Sequence, residues 1–351
     1  MNLEFNDLKN PELFFNSLDS LSEMELCNFL FEWHREGEKA DELIPFIEFF
    51  RAKSPPQQLN REAFDCAGTG GDKSDTFNFS TSAAFIAAAM GLSLVKNGGR
   101  AGSSKTGSVD FLECLGLDMS LDIETNIRNF YDYGLAFLSS PITANYLKQV
   151  KAIARNHKRS TFANLIAPFL SPVEVHGQLI GVAKRSWINT CIELAKYFIE
   201  KGYRQKFILV HSENPADPSK VLDEASSIWP FKIIFIDANG VFDHQFLPTG
   251  LGLRSGEIAD LRGANAEENA KLFWDLIEAK IPQGDYTEWS GMQSKFDTLL
   301  LNSALLMALR EDFSGFKRFP NFLTFYELEI AKIKEKILDK TVLSFVKEYC
   351  N

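Results

Sequence analysis

The 351-residue chain is short of cysteine, histidine and positive charge, and has no long apolar run. Its five cysteines (Cys27, Cys66, Cys114, Cys191 and Cys350) are odd in number and show no Cys-x-x-Cys spacing. That argues against a disulfide framework and against a zinc site, and leaves buried thiols in a reducing cytoplasm as the expectation. Of five histidines, His157, His176 and His211 invite acid–base roles, but no Cys or Ser nucleophile motif accompanies them, and a lone histidine is more often structural. Lys and Arg total 37 against 47 Asp and Glu, a net charge of −10. Neutralising a phosphate backbone needs clustered cations, so a nucleic-acid partner is not expected. The apolar run Ala83 to Val95 is too short to cross a bilayer. The N-terminal MNLEFNDLKNPELFF lacks a basic n-region, so neither a signal peptide nor a membrane partner is expected. No Walker A loop, dinucleotide fingerprint, internal repeat or low-complexity segment occurs.

What is present is a globular chain, 45% apolar, long enough for one large domain or two. Aromatic residues make up 13%, mostly Phe, and pack a core. Residues 1–53 read as helices. Ser22 and Glu25 have capping-box spacing ahead of Leu26, Phe29, Leu30 and Trp33. Leu43, Ile47 and Phe50 form a second apolar stripe, and Ser54-Pro55-Pro56-Gln57-Gln58 breaks the helix. Phe14, Phe15, Phe29, Phe31 and Trp33 offer more apolar surface than a short helical segment buries alone, which predicts a homodimer through these helices. From Phe64 onward short apolar runs alternate with helices, implying a parallel sheet. Strands are expected at Leu92–Val95, Leu135–Leu138, Phe207–Val210 and Lys232–Asp237, the last closed by an Asp237-Ala238-Asn239-Gly240 turn. Helices are expected at Ala266–Ala279, Leu299–Leu309 and Thr324–Leu343, and the stretch 144–180 reads as helical.

The most informative segment runs from Gly68 to Gly116. Two glycine-rich loops each lead into an apolar helix. Glycines admit close approach of backbone N–H groups to an anion, and a helix N-terminus carries about half a positive charge. Ser80 and Thr81 are placed to cap the first helix and Gly91 to end it. Lys96, Arg100 and Lys105 add full charges. Two anion cradles this close fit a ligand with two separate phosphate groups.

The same residues resemble the anthranilate phosphoribosyltransferase family. Gly68-Thr69-Gly70-Gly71-Asp72 matches its diphosphate loop and Asn78-Phe79-Ser80-Thr81 its Asn-x-Ser-Thr element. Lys96-Asn97-Gly98-Gly99-Arg100 is similar to its Lys-His-Gly-Asn-Arg element, and Ser103, Ser104, Gly107, Ser108 and Asp110 follow at the family spacing. The likeness extends to Asp223-Glu224, to Gly263 through Ala270 and to Asn302-Ser303-Ala304. It implies an α/β protein: a small all-helical domain plus a large α/β domain with a mainly parallel central sheet and surrounding helices. The helical domain would be discontinuous, 1–59 and 144–180, with 60–143 and 181–351 forming the phosphoribosyl-binding domain. It also implies transfer of phosphoribosyl from phosphoribosyl pyrophosphate to anthranilate, in tryptophan biosynthesis, by a dimer joined through the helical domain.

On that resemblance Gly68, Gly70, Gly71, Asp72, Thr76, Asn78, Ser80, Thr81, Lys96, Gly98, Ser104 and Ser108 bind phosphoribosyl pyrophosphate. Ser80, Asp223 and Glu224 bind Mg²⁺, a hard cation suited to carboxylates plus substrate oxygens. Asp72 also reads as binding Mg²⁺ through water, orienting the first loop or simply capping a turn; an Asp-Glu pair reads as solvated helix surface, Lys96 as a surface ammonium, and Ser103, Ser104 and Ser108 as helix caps. The acceptor side departs from the family. Its His and Asn in the second loop are Asn97 and Gly99 here. Its His-Pro-Ala-Met-Lys element falls on Ala144, Asn145, Tyr146, Leu147 and Lys148. Two pocket arginines fall on Ala154 and Ser160, with Arg155 and Arg159 each one place away. Gly68, Gly99, Arg155 and Arg159 are then the acceptor-binding residues if the register shifts. Otherwise the acceptor is a different amine in the same reaction class. A non-catalytic binding protein, the remaining alternative, would be expected to show eroded phosphate loops.

Overall fold

The structure, a computed structural model, describes residues 8–98, 107–138, 145–253, 256–280 and 290–351. Eight strands form one sheet among them: β1 (Phe64–Gly68), β2 (Leu94–Asn97), β3 (Leu135–Leu138), β4 (Gly177–Gly181), β5 (Lys206–Asn214), β6 (Asp217–Leu222), β7 (Phe231–Asp237) and β8 (Gly240–Phe246). Their order is β3-β2-β1-β4-β5-β7-β8, with β6 beside β5. Pairing is parallel from β3 to β5 and antiparallel from β5 to β8. This is the mainly parallel sheet that the resemblance implied. The expected Asp237–Gly240 turn closes a hairpin, with Asn239 N donating to Asp237 Oδ1 at 2.8 Å. β1 leads outward through β2 to β3, and the chain then returns to set β4 on the other side of β1. Strand order reverses there, which opens a crevice at the C-terminal ends of β1 and β4, the usual ligand position in such sheets.

Side chains alternate between two cores, as the two-residue strand period requires. On β5, Ile208 and Val210 join a core with the helices Phe79–Ala89, Ser290–Ala308 and Phe319–Leu338. Phe207 and Leu209 join the opposite core, with the N-terminal helices, Phe162–Ile166 and Ile188–Glu200. That second core ties the chain's start to its middle: Phe162 stacks on Trp33 at 4.7 Å and meets Phe14 edge-on at 5.8 Å. Such pairs add about 0.5–1.5 kcal/mol each beyond area burial. The helical layer is continuous with Ile180 and Phe207 in one core, and β4 spans residue 180.

Several local expectations change. The Ser22–Glu25 capping box is formed. The first glycine loop, however, enters its helix through Asn78, and Ser80 and Thr81 lie inside the first turn rather than capping it. β2 begins two residues later than expected, because Leu92 and Ser93 complete the turn after Gly91. The helix expected over Thr324–Leu343 is two, Phe319–Leu338 and Thr341–Tyr349, broken where Lys340 takes a left-handed φ of 69°. Phe14, Phe15 and Trp33 are buried within the chain itself, so the apolar surface expected to drive dimerisation is largely consumed internally. Cys27, Cys66 and Cys191 are buried, but Cys114 is exposed and Cys350 partly so.

Candidate active site

A cavity of about 900 Å³ opens at the C-terminal ends of β1, β2 and β4. The first glycine loop forms one wall and turns through Gly70 and Gly71, at φ of 61° and 87°. These left-handed values favour glycine and leave no Cβ above the loop. Thr69 fastens the loop to β4: its N donates to Gly181 O at 2.8 Å, and its hydroxyl accepts from Ala183 N at 2.9 Å. Asn164 Nδ2 donates to Thr69 O at 2.9 Å, tying the loop to the 160–164 segment. Gly70 N donates to Asp223 Oδ2 at 3.0 Å.

Asp223 and Glu224 are half-buried. Carboxylate oxygens of Asp72, Asp223 and Glu224 all lie within 4.8 Å of one another. Burial first, and Asp223 second, push the Asp72 carboxyl up to about 7. Burial, then the charges of Asp223 and Asp72, hold Glu224 well above its ordinary value, and burial raises Asp223 as well. Glu224 Oε2 is buried without a hydrogen-bond partner. An all-oxygen cluster with an orphaned carboxylate oxygen fits a hard divalent cation such as Mg²⁺. Asp72, expected at the diphosphate or at a Mg²⁺ through water, stands with the two expected metal ligands. Ser80 instead accepts from the Lys96 ammonium at 3.2 Å.

These shifts give a pH dependence. An acid whose pKa is raised by folding holds its proton more tightly in the folded state, so its stabilising contribution is lost as pH climbs toward the raised value. A cation bound to the ionised cluster offsets that loss and competes with the proton. Added Mg²⁺ should therefore raise the melting temperature markedly at pH 8 and little at pH 5.5. An equal shift at both values would contradict this.

Lys96 is buried, not a surface ammonium. It reaches across β1 to Cys66 O at 2.8 Å and to Ser80. Asn78, Thr81, Gly98 and Ser108 also line the cavity. A Cβ on Gly98 would fall 2.4 Å from Ser108 Oγ, so this glycine lets the second loop pack against its helix. Gly99 and Ser104, with Arg100, Ser103, Lys105 and Ala144, lie outside the described residues. Arg155 and Arg159 line the cavity as exposed side chains, and Ala154 and Ser160 line it beside them. Asn97 Nδ2 donates to Leu170 O at 3.0 Å, which joins β2 to that segment. His157, His176 and His211 are not among the lining residues.

The later motifs act as supports whose roles the sequence did not reveal. Asn269 donates to Asn78 Oδ1 at 2.9 Å and accepts from Ala264 N at 2.7 Å. Asn302 accepts from Ala225 N at 3.0 Å and donates to Ala225 O at 2.9 Å, fixing the backbone directly after the acidic pair.

The family described as "Glycosyl transferase family, a/b domain" matches residues 60–318. The chain is 36% identical over 249 residues to the anthranilate phosphoribosyltransferase of Chlorobium phaeovibrioides, spanning 71% of this chain and 69% of that one. To the enzyme of that name from Bacillus cereus it is 31% identical over 296 residues, 82% of this chain and 79% of the other. Its fold is similar to that of the Saccharomyces cerevisiae anthranilate phosphoribosyltransferase in complex with PRPP and Mg, with a TM-score of 0.76 at 24% identity over 99% of this chain and 91% of that one. The Thermus thermophilus enzyme of the same name gives 0.73 at 22% identity, over 100% and 95%. On the family match over residues 60–318 and the identity to these relatives, the chain belongs to the anthranilate phosphoribosyltransferase family.

Proposed function

We propose that this protein transfers the phosphoribosyl group of phosphoribosyl pyrophosphate to anthranilate, releasing pyrophosphate, with Mg²⁺ as cofactor. The observation that carries the reading is one juxtaposition: the first glycine loop, tied through Gly70 N to Asp223, lies beside the half-buried cluster Asp72, Asp223 and Glu224 at one cavity. Breaking the C1–O bond puts charge on the leaving diphosphate while the sugar becomes oxocarbenium-like. Fixed donors near that diphosphate stabilise the transition state more than any nucleophilic side chain would.

Gly68, Gly70, Gly71, Thr76, Asn78, Ser80 and Thr81 offer hydroxyls, amides and open backbone. Lys96, Gly98, Ser104 and Ser108 serve the remaining phosphate and ribose oxygens. Bound at Asp223 and Glu224, with Asp72 or Ser80 completing the set, Mg²⁺ would supply neutralising charge for the leaving group. Gly68, Gly99, Arg155 and Arg159 take the acceptor. Anthranilate's aryl amine is neutral near pH 7, so the reaction needs positioning rather than a strong base. Helices from 1–59 and 144–180 carry the acceptor side, the α/β remainder the phosphate side. On this reading the enzyme serves tryptophan biosynthesis in the cytoplasm, on small-molecule substrates alone.

A second reading keeps the reaction and changes the acceptor. It is favoured by Ser160, a buried hydroxyl side chain against the Gly71 wall where the family resemblance would put an arginine. Calorimetry is expected to show phosphoribosyl pyrophosphate binding only weakly without Mg²⁺, and anthranilate fluorescence to fall when all three are mixed. Equal affinity with and without the cation would count against the proposal. A homodimer through the helical layer is also proposed, on the family likeness and on the exposed Met24 and Leu13. Sedimentation at micromolar concentration should give twice the chain mass, and a monomer would refute it.

A further inference from the structure

We infer that Asp65, Gln178 and Arg204, acting with Asn97, are positioning residues: they fix the cavity wall 160–170 to the sheet and so set the place of the acceptor. The inference rests on the proposed transfer to anthranilate and adds a device outside the glycine loops and the acid cluster.

Asp65 on β1 and Gln178 on β4 are register partners, and Gln178 pairs on its other side with Phe207 of β5. Phe207 and Ile180 belong to the apolar core beneath the helical layer, so the carboxylate and the carboxamide interrupt an otherwise apolar face. Asp65 and Gln178 are fully buried and Arg204 is 3% exposed. Gln178 Nε2 donates to Asp65 Oδ2 at 2.8 Å, and the Arg204 guanidinium donates to Gln178 Oε1. One carboxamide thus joins a buried anion to a buried cation. Burial pushes the Asp65 carboxyl up and brings Arg204 down to about 10, so both charges are held at a cost. Replacing a buried ion pair by packed apolar residues is often neutral or stabilising. Stability therefore does not account for this network, but its outward bonds do.

Those bonds end on three consecutive carbonyls. Gln178 Nε2 donates to Pro168 O at 2.6 Å, Arg204 Nη2 to Phe169 O at 3.4 Å and Asn97 Nδ2 to Leu170 O at 3.0 Å. Asn97 is itself held by Asp65, whose Oδ1 accepts from Asn97 N at 3.2 Å. The three carbonyls lie where the helical turns Phe162–Ile166 and Ala167–Phe169 run out, and a helix leaves its last carbonyls without internal partners. Ser160, Thr161, Ala163 and Asn164 of the same wall line the cavity. At that end Asn164 Nδ2 donates to Thr69 O at 2.9 Å. The wall is pinned twice, to the first glycine loop and to the end of β2 just before Gly98. Asp65, Gln178 and Arg204 are not among the residues lining the cavity, so they act on a ligand only through the wall. A misplacement of about 1 Å at a reacting centre costs on the order of 10²-fold in rate, which gives such a pin its use.

The test compares Arg204→Met and Asn97→Ala, singly and together, with the parent. Methionine keeps an apolar stem beside Phe198 and Phe207, over which the guanidinium lies at 4.9 and 5.6 Å, and removes both donors. Measured are the KM for anthranilate at saturating phosphoribosyl pyrophosphate and Mg²⁺, the calorimetric affinity for phosphoribosyl pyrophosphate with Mg²⁺, and the denaturant midpoint. Each single variant is expected to raise the anthranilate KM about tenfold and to leave the calorimetric affinity within about twofold. The double variant should raise KM by less than the product of the single effects, because both bonds hold one wall. Should Arg204→Met not fold, Asn97→Ala decides alone, since it leaves no buried charge unpaired. An anthranilate KM at the parent value overturns the inference. Equal losses for both substrates also overturn it, being the mark of a merely structural role, as do single effects that multiply in full. A parent protein that releases no pyrophosphate with anthranilate overturns the transfer reading and the inference with it, whereas the other outcomes leave that reading standing.

Discussion

Replacing Asp223 with Asn and Glu224 with Gln is expected to lower turnover by about 10²- to 10³-fold, the usual scale for removing transition-state charge stabilisation, while raising the melting temperature. The two effects diverge because the carboxylates are held against their own preference. Burial is the first cause of the raised pKa of each, and their neighbours add to it: Asp223 and Asp72 at Glu224, Asp223 at Asp72. Above the raised values the metal-free folded state carries crowded charges that the unfolded chain separates, so stability declines as pH rises toward them. Neutral isosteres of the same shape remove that decline. Amides are poor ligands for Mg²⁺ beside carboxylates, so the double variant should also lose its thermal response to the cation. Melting curves at pH 8 with and without Mg²⁺, alongside pyrophosphate release, test both halves. If the variant unfolds more readily than the parent, or keeps its turnover, the acids are structural and the metal site lies elsewhere.

How much of this was legible beforehand differs between the two sides of the cavity. Gly68 to Asp72 stood out because a glycine loop is contiguous backbone, and contiguous backbone is written as contiguous sequence. The Asp223-Glu224 pair stood out only through the family resemblance, since by itself such a pair reads as solvated helix surface. What could not be read is contact between distant segments. The first loop meets Asp223, which follows β6, where Gly70 N donates to its carboxylate. Asn302 sits 77 residues from the Ala225 backbone that it fixes. The aromatic N-terminus was read as sticky surface because its partner, Phe162, lies far along the chain. Alternation of strand and helix correctly signalled the α/β class, but pairing direction follows from connection geometry. The tight turn at Asp237 to Gly240 makes β7 and β8 antiparallel whatever their composition. Likewise, helix Lys148–Asn156 shows which of its cations share a face only once its buried face is known.

Gly181→Ala is expected to cost the fold about 1–3 kcal/mol or more and to abolish Mg²⁺-dependent binding of phosphoribosyl pyrophosphate, although the new methyl group touches no ligand. Gly181 ends β4, paired with Gly68 on β1 and Val210 on β5. A Cβ there would fall 1.8 Å from the Asp223 carbonyl oxygen and 2.8 Å from its carbonyl carbon. Both are backbone atoms, so no side-chain rotation relieves the overlap. Either β4 shifts within the sheet or the segment carrying Asp223 and Glu224 moves outward. The second displacement also withdraws Asp223 Oδ2 from Gly70 N, releasing the first loop from the acid cluster. Gly250→Ala is the control, since a Cβ there has nothing within 4 Å, and it should alter stability by less than about 0.5 kcal/mol. Denaturant midpoints and calorimetry on both variants decide the matter. A Gly181→Ala protein that matches the control in both would mean that the contact relaxes without moving the acids. The close approach of β4 would then not be what holds Asp223 in place.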